Sequence, residues 1–247
     1  MNYSALASLY DRIMCHVRYD LWHNLIKKIF SNYFNYRNSQ SSIFEIGGGT
    51  GSLAKMLIKS GYSYTGSDLS FKMCKEAQKK RIPFICASAL NLPIKHRFSL
   101  VIFLYDGINY LGNIKEYTLL FQEVSKILVT NGLFLFDITT EKNSLTNFYN
   151  HVDAEDFGNS SYIRNSYYDK RKKRQYNDFT IFKAHRDNNM VYIKEYEYHI
   201  QKIFSVNEIV KSIPRRLFEI EGIWDNFTFN KYHPRSERIH FLLKKIA

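Results

Sequence analysis

Cysteine is scarce in this chain, acidic residues are outnumbered, and no apolar run is long enough to cross a bilayer. The three cysteines, Cys15, Cys74 and Cys86, form no C-x-x-C pair and sit within patterned segments. That argues against a zinc ribbon or a disulfide framework and reads as buried free thiols, with no metal site. No stretch approaches the roughly 20 apolar residues of a membrane span, and Met1-Asn2-Tyr3-Ser4-Ala5-Leu6 lacks a basic-then-apolar leader pattern. The expectation is a cytoplasmic protein with no membrane partner. Asp and Glu number 23 against 35 Lys and Arg, for a net charge of +12. An excess spread along the chain fits a solvated surface, and it also raises the attraction to RNA, which remains a possible partner. The oligomeric state has no signal in the sequence.

What is present begins with length and rings. At 247 residues, with 45% hydrophobic residues, the chain can bury a sizeable core and suits one α/β unit with an insertion. Nineteen Tyr and nineteen Phe suggest a ring-lined groove or a second sheet.

The chain is organised around Ser42-Ile43-Phe44-Glu45-Ile46-Gly47-Gly48-Gly49-Thr50-Gly51, followed by Ser52-Leu53-Ala54-Lys55-Met56-Leu57-Ile58. An apolar run, a glycine turn and a helical pattern predict strand, tight turn and helix, where glycines supply φ > 0 and let a ligand lie on the backbone. A dinucleotide site wants G-x-G-x-x-G, but the third position is Ser52. Glu45 beside the turn would repel a pyrophosphate and attract the ammonium and sulfonium charges of S-adenosylmethionine. Charge sign thus favours the methyl donor, bound around Glu45, Gly47, Gly48 and Gly49. On this reading Gly47→Val removes donor binding without unfolding, because the side chain would enter cofactor space.

Around this turn, residues Tyr3 to Cys15 and Tyr19 to Phe34 carry apolar residues at helical spacing and predict two helices over the sheet. Tyr62 to Asp68 reads as a second strand ending in an acid about 20 residues past the glycines, placed to accept ribose hydroxyls. Leu69 to Met73 opens the next helix, with Met73 able to pack on an adenine. A third strand, Pro83 to Ala87, leads into Ser88, Ala89 and Leu90. Phe98 to Tyr105 reads as a central strand buried on both faces. Beyond its C-terminal end, Tyr105, Asp106, Asn109 and Tyr110 fall at the cleft where open α/β sheets bind ligands. Helix Tyr117 to Leu128 and strand Leu133 to Asp137 follow. The segment from Glu141 to Ser160 has no clear pattern. Strands around Asp178 to Lys183 and Met190 to Ile200, joined at Asp187-Asn188-Asn189, predict an inserted antiparallel sheet. Lys170 to Arg174 would form a solvated hairpin tip or grip phosphates. A helix at Asn207 to Ile213 and strands at Phe218 to Trp224 and Arg238 to Leu243 close the chain.

Phe-Glu-Ile-Gly-Gly-Gly-Thr-Gly resembles the first motif of the class I S-adenosylmethionine-dependent methyltransferases. Asp-Leu-Ser-x-x-Met at Asp68 to Met73 and Tyr-Asp-Gly-Ile-Asn-Tyr-Leu after the fourth strand resemble the small-molecule branch that includes glycine and sugar-amine N-methyltransferases. Tyr10-Asp11 with Tyr19 and Trp22 resembles the lid of that branch, in which a tyrosine closes over the donor. Two departures stand out. Ser88 occupies the place of a common adenine-binding aspartate, and Asn/Asp-Pro-Pro-aromatic is absent, which argues against N6-adenine chemistry. The resemblance implies an α/β, Rossmann-like, seven-stranded methyltransferase sheet with N-terminal lid helices and an inserted antiparallel β-sheet. It would divide as 1–140 for lid and cofactor core, 141–204 for the inserted cap, and 205–247 for the end of the core sheet.

The expected function is methyl transfer from S-adenosylmethionine, leaving S-adenosylhomocysteine, to a nitrogen or oxygen of a small-molecule acceptor. An RNA methyltransferase and a non-catalytic donor-binding module are the alternatives. In-line transfer needs alignment and a proton acceptor. Asp106, Tyr105 and His199 are the catalytic candidates. The donor is expected to touch Tyr10, Tyr19, Glu45, Gly47, Gly48, Gly49, Asp68, Leu69, Met73, Ser88, Ala89, Leu90 and Tyr105. The acceptor is expected at Tyr10, Asp106, Asn109, Tyr110, Glu197 and His199, the last two sharing a strand face.

Overall fold

The computed structural model describes residues 3–34, 41–185 and 188–246. Its larger sheet has seven strands in the order β3-β2-β1-β4-β5-β11-β10. Strands β1 (Ser42–Ile46), β2 (Ser63–Asp68), β3 (Phe84–Cys86), β4 (Phe98–Phe103) and β5 (Leu128–Thr139) run parallel, β11 (Arg238–Lys245) pairs antiparallel with β5, and β10 (Phe218–Asp225) pairs antiparallel with β11. Every residue of β1 and β4 is buried, because helices cover both faces of a parallel sheet.

One face is covered by α2 (Tyr19–Tyr33), α3 (Ser52–Lys59) and α4 (Phe71–Lys79). In α2, Trp22, Leu25, Ile26, Ile29 and Phe30 form the buried stripe, the i, i+3, i+4, i+7 spacing of an amphipathic helix. Ser70 caps α4 by accepting from the Met73 N–H. The other face packs on α5 (Ile114–Ile127), whose first turn is capped by Asn113, and on α7 (Val206–Ser212), which carries a capping box between Ser205 and Glu208.

A second, four-stranded antiparallel sheet is ordered β6 (His151–Asp156), β7 (Ser160–Asp169), β8 (Arg174–His185), β9 (Asn188–Lys202). Its inner face buries Tyr162, Phe179 and Ile181 against Ala5, Leu6, Leu9 and Ile13 of the N-terminal segment. The expected first helix shrinks for this reason to α1 (Tyr10–Ile13). Residues 3–9 form turns instead, with Tyr3 at φ 60 and the Ala5 and Leu6 amides bound to Glu197, so tertiary contacts override helical spacing. The patternless stretch after Glu141 holds α6 (Glu141–Asn147) and β6, the latter mostly exposed and hence without apolar alternation. Residues 170–173 form the turn between β7 and β8, with Lys172 paired to Asp169 at 3.6 Å and Lys173 to Glu208 at 4.0 Å. Asp187, in the turn expected before β9, lies outside the described residues. Only Cys74 is a buried thiol, while Cys15 and Cys86 are exposed and all three are free. Among the described residues no helix is long and apolar enough to cross a membrane.

Candidate active site

The loops at the C-terminal ends of β1, β2, β3 and β4 enclose a cavity of about 320 Å³. Gly47 and Gly49 form its floor in the left-handed region, at φ 65 and φ 58, which an ordinary side chain resists. Asp68, at the end of β2, accepts the Gly49 N–H at 3.0 Å on one oxygen and the Ser70 N–H at 2.8 Å on the other. Each oxygen keeps a further lone pair for a ligand. Burial pushes the Asp68 carboxyl up, and these two amides pull it back. Leu69, Met73, Ser88, Ala89 and Leu90 complete that end of the cavity. The Ser88 hydroxyl accepts the Leu90 N–H at 3.2 Å, so it is partly used by its own turn.

A smaller recess of about 40 Å³ continues past the glycines and is lined by Glu45, Gly48, Tyr10, Tyr19 and Trp22. Glu45 accepts the Tyr64 hydroxyl. Burial lifts its pKa to about 7, opposed by that hydrogen bond and reinforced by Asp68. Its charge is therefore only partly developed at neutral pH, so it discriminates by sign less strongly than the sequence suggests. The Trp22 indole Nε1 is buried without a hydrogen-bond partner, an unsatisfied donor at this end.

Between the two sheets lies another cavity, of about 130 Å³. Tyr3, Tyr10, Tyr105 and Tyr110 line both it and the 320 Å³ cavity. Its other walls are mixed: Asp106, Arg164, Gln175, Asn177, Gln201 and Arg238 are polar, and Leu6, Ile13, Met14, Phe148 and Phe179 are apolar. The second sheet supplies Arg164, Gln175, Asn177, His199 and Gln201 from inward positions of β7, β8 and β9.

The turn after β4 carries Tyr105 at φ 58 and Asp106 at φ 50. Two successive non-glycine residues in this region store strain, of the order of 1–3 kcal/mol each. The turn is held in place from outside. Arg238 donates to Asp106 Oδ1 at 2.8 Å and to Asp137 Oδ2. Its guanidinium lies 5.1 Å from the Tyr105 ring centroid and 5.4 Å from that of Trp22. Gln201 donates to Asp106 Oδ2 at 2.5 Å.

These contacts correct three sequence expectations. Asp106 faces the cavity, but both its oxygens already accept hydrogen bonds from Arg238 and Gln201, an arrangement that suits positioning better than proton removal. Asn109 is fully buried and lines neither cavity. Its amide donates to Lys202 O at 3.0 Å and accepts the Thr139 N–H at 3.0 Å, tying β9 to β5. Glu197 sits behind His199 and binds the lid backbone instead of lining the acceptor cavity. His199, Tyr110 and Tyr10 do line it.

Sequence reasoning missed Tyr3, Arg238 and Gln201. Arg238 had a signal: a cation opening the apolar strand Arg238 to Leu243, and Asp137 ending the apolar strand Leu133 to Asp137, are buried opposite charges that require pairing. Tyr3 and Gln201 had none.

Residues 43–132 match the profile of the methyltransferase domain family. A protein of Geobacillus sp. (strain WCH70), provisionally named a methyltransferase, is 28% identical over 99% of this chain and 100% of its own length. The solved structure of an S-adenosylmethionine-dependent methyltransferase from Clostridium acetobutylicum ATCC 824 superposes with a TM-score of 0.81 at 22% identity, covering 99% of both chains. The chain thus carries a methyltransferase domain over residues 43–132 and has, along its whole length, the fold of S-adenosylmethionine-dependent methyltransferases. The fold extends to the sugar N-methyltransferase KedS8 of Streptoalloteichus sp ATCC 53650, with TM-score 0.68 and 16% identity over 91% of this chain and 92% of that one.

The methyltransferase has features that fit its cofactor. The 320 Å³ cavity has room for a nucleoside, Asp68 at the end of β2 lines it beside the glycine turn with lone pairs for ribose hydroxyls, and Trp22, whose buried N–H is unsatisfied, lines the adjoining recess. Among the described residues no cluster of His, Cys, Asp or Glu could hold a metal ion. Asp68→Ala is expected to weaken S-adenosylhomocysteine binding roughly 100-fold, the loss of about two charge-assisted hydrogen bonds. Calorimetric titration measures this, and unchanged affinity would remove Asp68 from the site.

Proposed function

We propose that the enzyme methylates a nitrogen or oxygen of a small, polyhydroxylated acceptor of the amino-sugar type. The observation that carries this reading is the second cavity, which adjoins the cofactor cavity through Tyr3, Tyr10, Tyr105 and Tyr110 and sets amide, guanidinium and hydroxyl groups beside apolar side chains such as Leu6, Met14 and Phe179. Such a lining offers polar groups to the hydroxyls and amine of a sugar and apolar faces to its ring carbons. The nicks and tips that would grip a polyanion are less developed, since Lys172 and Lys173 of the hairpin turn face Asp169 and Glu208. The solved sugar N-methyltransferase of the same fold supports the reading without fixing the acceptor.

In this proposal the donor lies along Asp68, Met73 and the glycine turn, with its methyl group at the tyrosine junction. Tyr10 and Tyr105 align donor and acceptor, and transfer is an in-line displacement whose main requirement is geometry. The test has two stages. Calorimetry with S-adenosylhomocysteine and, separately, NADH should give micromolar binding of the first alone. Transfer of a labelled methyl group is then measured against a panel of aminodeoxyhexoses and against bulk tRNA. Methylated sugar supports the proposal. Methylation of tRNA alone, or donor binding with no transfer, overturns it.

A further inference from the structure

Four side chains run in a line from the junction of the two cavities into the second sheet. Tyr3 and Tyr110 line both cavities, and their hydroxyls are 2.6 Å apart. The Tyr110 hydroxyl lies 3.1 Å from Nδ1 of His199. On the far side of that ring, Nε2 is 3.2 Å from Glu197 Oε1, a close contact short of hydrogen-bond geometry. His199 and Glu197 are both buried. Glu197 Oε2 accepts the Ala5 and Leu6 N–H groups at 2.7 and 3.0 Å, and the Tyr3 ring packs on the His199 ring with centroids 4.4 Å apart. The lid that carries Tyr3 is thus fastened to the strand that carries the histidine.

The line has a direction. Burial raises both phenols, so each stays protonated. A carboxylate only accepts, so Glu197 Oε1 at 3.2 Å from Nε2 calls for the ring proton of His199 on Nε2. Nδ1 then accepts from the Tyr110 hydroxyl, which leaves the Tyr110 oxygen to accept from Tyr3. Burial pushes the Glu197 carboxyl up, but His199 and the Leu6 and Ala5 amides outweigh it and hold the group below its usual range.

We propose that Tyr3, Tyr110 and His199 form the proton exit of the methyl transfer, with Glu197 as the positioning residue that stabilises the imidazolium. The inference rests on the acceptor cavity proposed above. The acceptor nitrogen forms its bond to the methyl carbon as the carbon–sulfur bond breaks, and that electron pair stays on sulfur as a neutral thioether. The proton lost from nitrogen passes to the Tyr3 oxygen, the Tyr3 proton to Tyr110, and the Tyr110 proton to His199 Nδ1. Release of product lets the proton return to water by the same line. The groups facing His199 are Glu197 on its own strand, Tyr110 from the turn after β4, Tyr3 from the lid, and Asp106, Arg238 and Arg164 around the cavity. Asp106 and Arg238 neutralise one another, and Arg164 is paired with Asp153 at 2.6 Å, so Glu197 is the carboxylate left to answer the histidine.

Nitrogen-15 spectra of histidine-labelled full-length protein, with S-adenosylhomocysteine added, test the direction of the line without any acceptor. His199 is expected as the Nε2–H tautomer, and Tyr110→Phe should release that preference. An Nδ1–H tautomer in the unmodified enzyme overturns the proposal. With the aminodeoxyhexose that the enzyme methylates, His199→Gln should lower kcat about 100-fold, the usual worth of a general base, with KM little changed. Glu197→Gln keeps an oxygen for the lid amides but loses the charge. It should lower kcat about tenfold while S-adenosylhomocysteine affinity holds; lost affinity with unchanged kcat would mean that Glu197 is only a lid fastener. If no aminodeoxyhexose is methylated, the acceptor reading fails, and the tautomer alone decides the line.

Discussion

Replacing Arg238 with methionine is expected to abolish methyl transfer and to cost about 3–5 kcal/mol of stability, the range for removing one partner of a buried ion pair. Arg238 reaches two carboxylates, Asp106 and Asp137; Asp137 Oδ2 also accepts the Asp106 N–H at 3.1 Å, and its Oδ1 has no hydrogen-bond partner. Without the guanidinium, two buried acids face each other with no counter-charge, and the left-handed Tyr105-Asp106 turn loses both its ion pair and the cation stacked on Tyr105. The cost should depend on pH. Burial raises both carboxyls in the folded protein, with Arg238 opposing it. An acid whose folded pKa lies above its unfolded one contributes stability that is full below the unfolded value and is lost as pH rises through the folded one. Removing Arg238 enlarges the shift, so the deficit of the variant should be larger at pH 8 than at pH 5. Calorimetric Tm values at the two pH values measure it; an equal deficit at both would mean that the carboxylates are not what destabilises the variant. Arg238→Lys should not rescue activity, because one ammonium cannot fork across two carboxylates.

Gly47→Val is the second large effect: S-adenosylhomocysteine binding should become undetectable. The reason differs from the one the sequence suggests. A Cβ at Gly47 would first meet Phe103 Cε2 at 2.9 Å, and the backbone stands at φ 65, a conformation that a β-branched residue resists strongly. The turn must therefore shift, or the Phe103 ring, itself part of the cavity wall, must swing into cofactor space. Stability should fall as well, by about 1–3 kcal/mol, so the variant is to be compared by thermal melt and by titration. Retained affinity would show that the glycine turn does not bear the donor.

The cofactor side was legible because its parts are local. Strand, glycine turn, helix and the acid closing β2 lie within Ser42 to Asp68, and each has a spacing that the chain must obey to fold. The acceptor side was not. Asp106 was found, but the ties that hold it were not, because its partners, Gln201 and Arg238, are 95 and 132 residues away in sequence, and nothing local announces who will bind its oxygens. Tyr3 sat in a pattern that reads as helix, and only packing on the second sheet turned it into the junction. Asn109 looked like a cleft residue by position, yet a buried amide is more economically used to satisfy backbone groups. Among the described residues, the part of the cap that could be foreseen was its alternation, not the identity of its neighbours.

That alternation has a consequence for how the acceptor preference can change over evolutionary time. Gln175, Asn177 and Phe179 face the cavity while Tyr176, Asp178 and Thr180 face outward, and the pairing of β8 with β7 and β9 fixes this parity. A single inserted or deleted residue in β8 would exchange the two sets at once, replacing two amides with a phenol and a carboxylate. Point substitutions at inward positions, by contrast, alter one wall and leave the glycine turn untouched. New acceptors should therefore arise by substitution within a conserved strand length, with length changes confined to the hairpin ends.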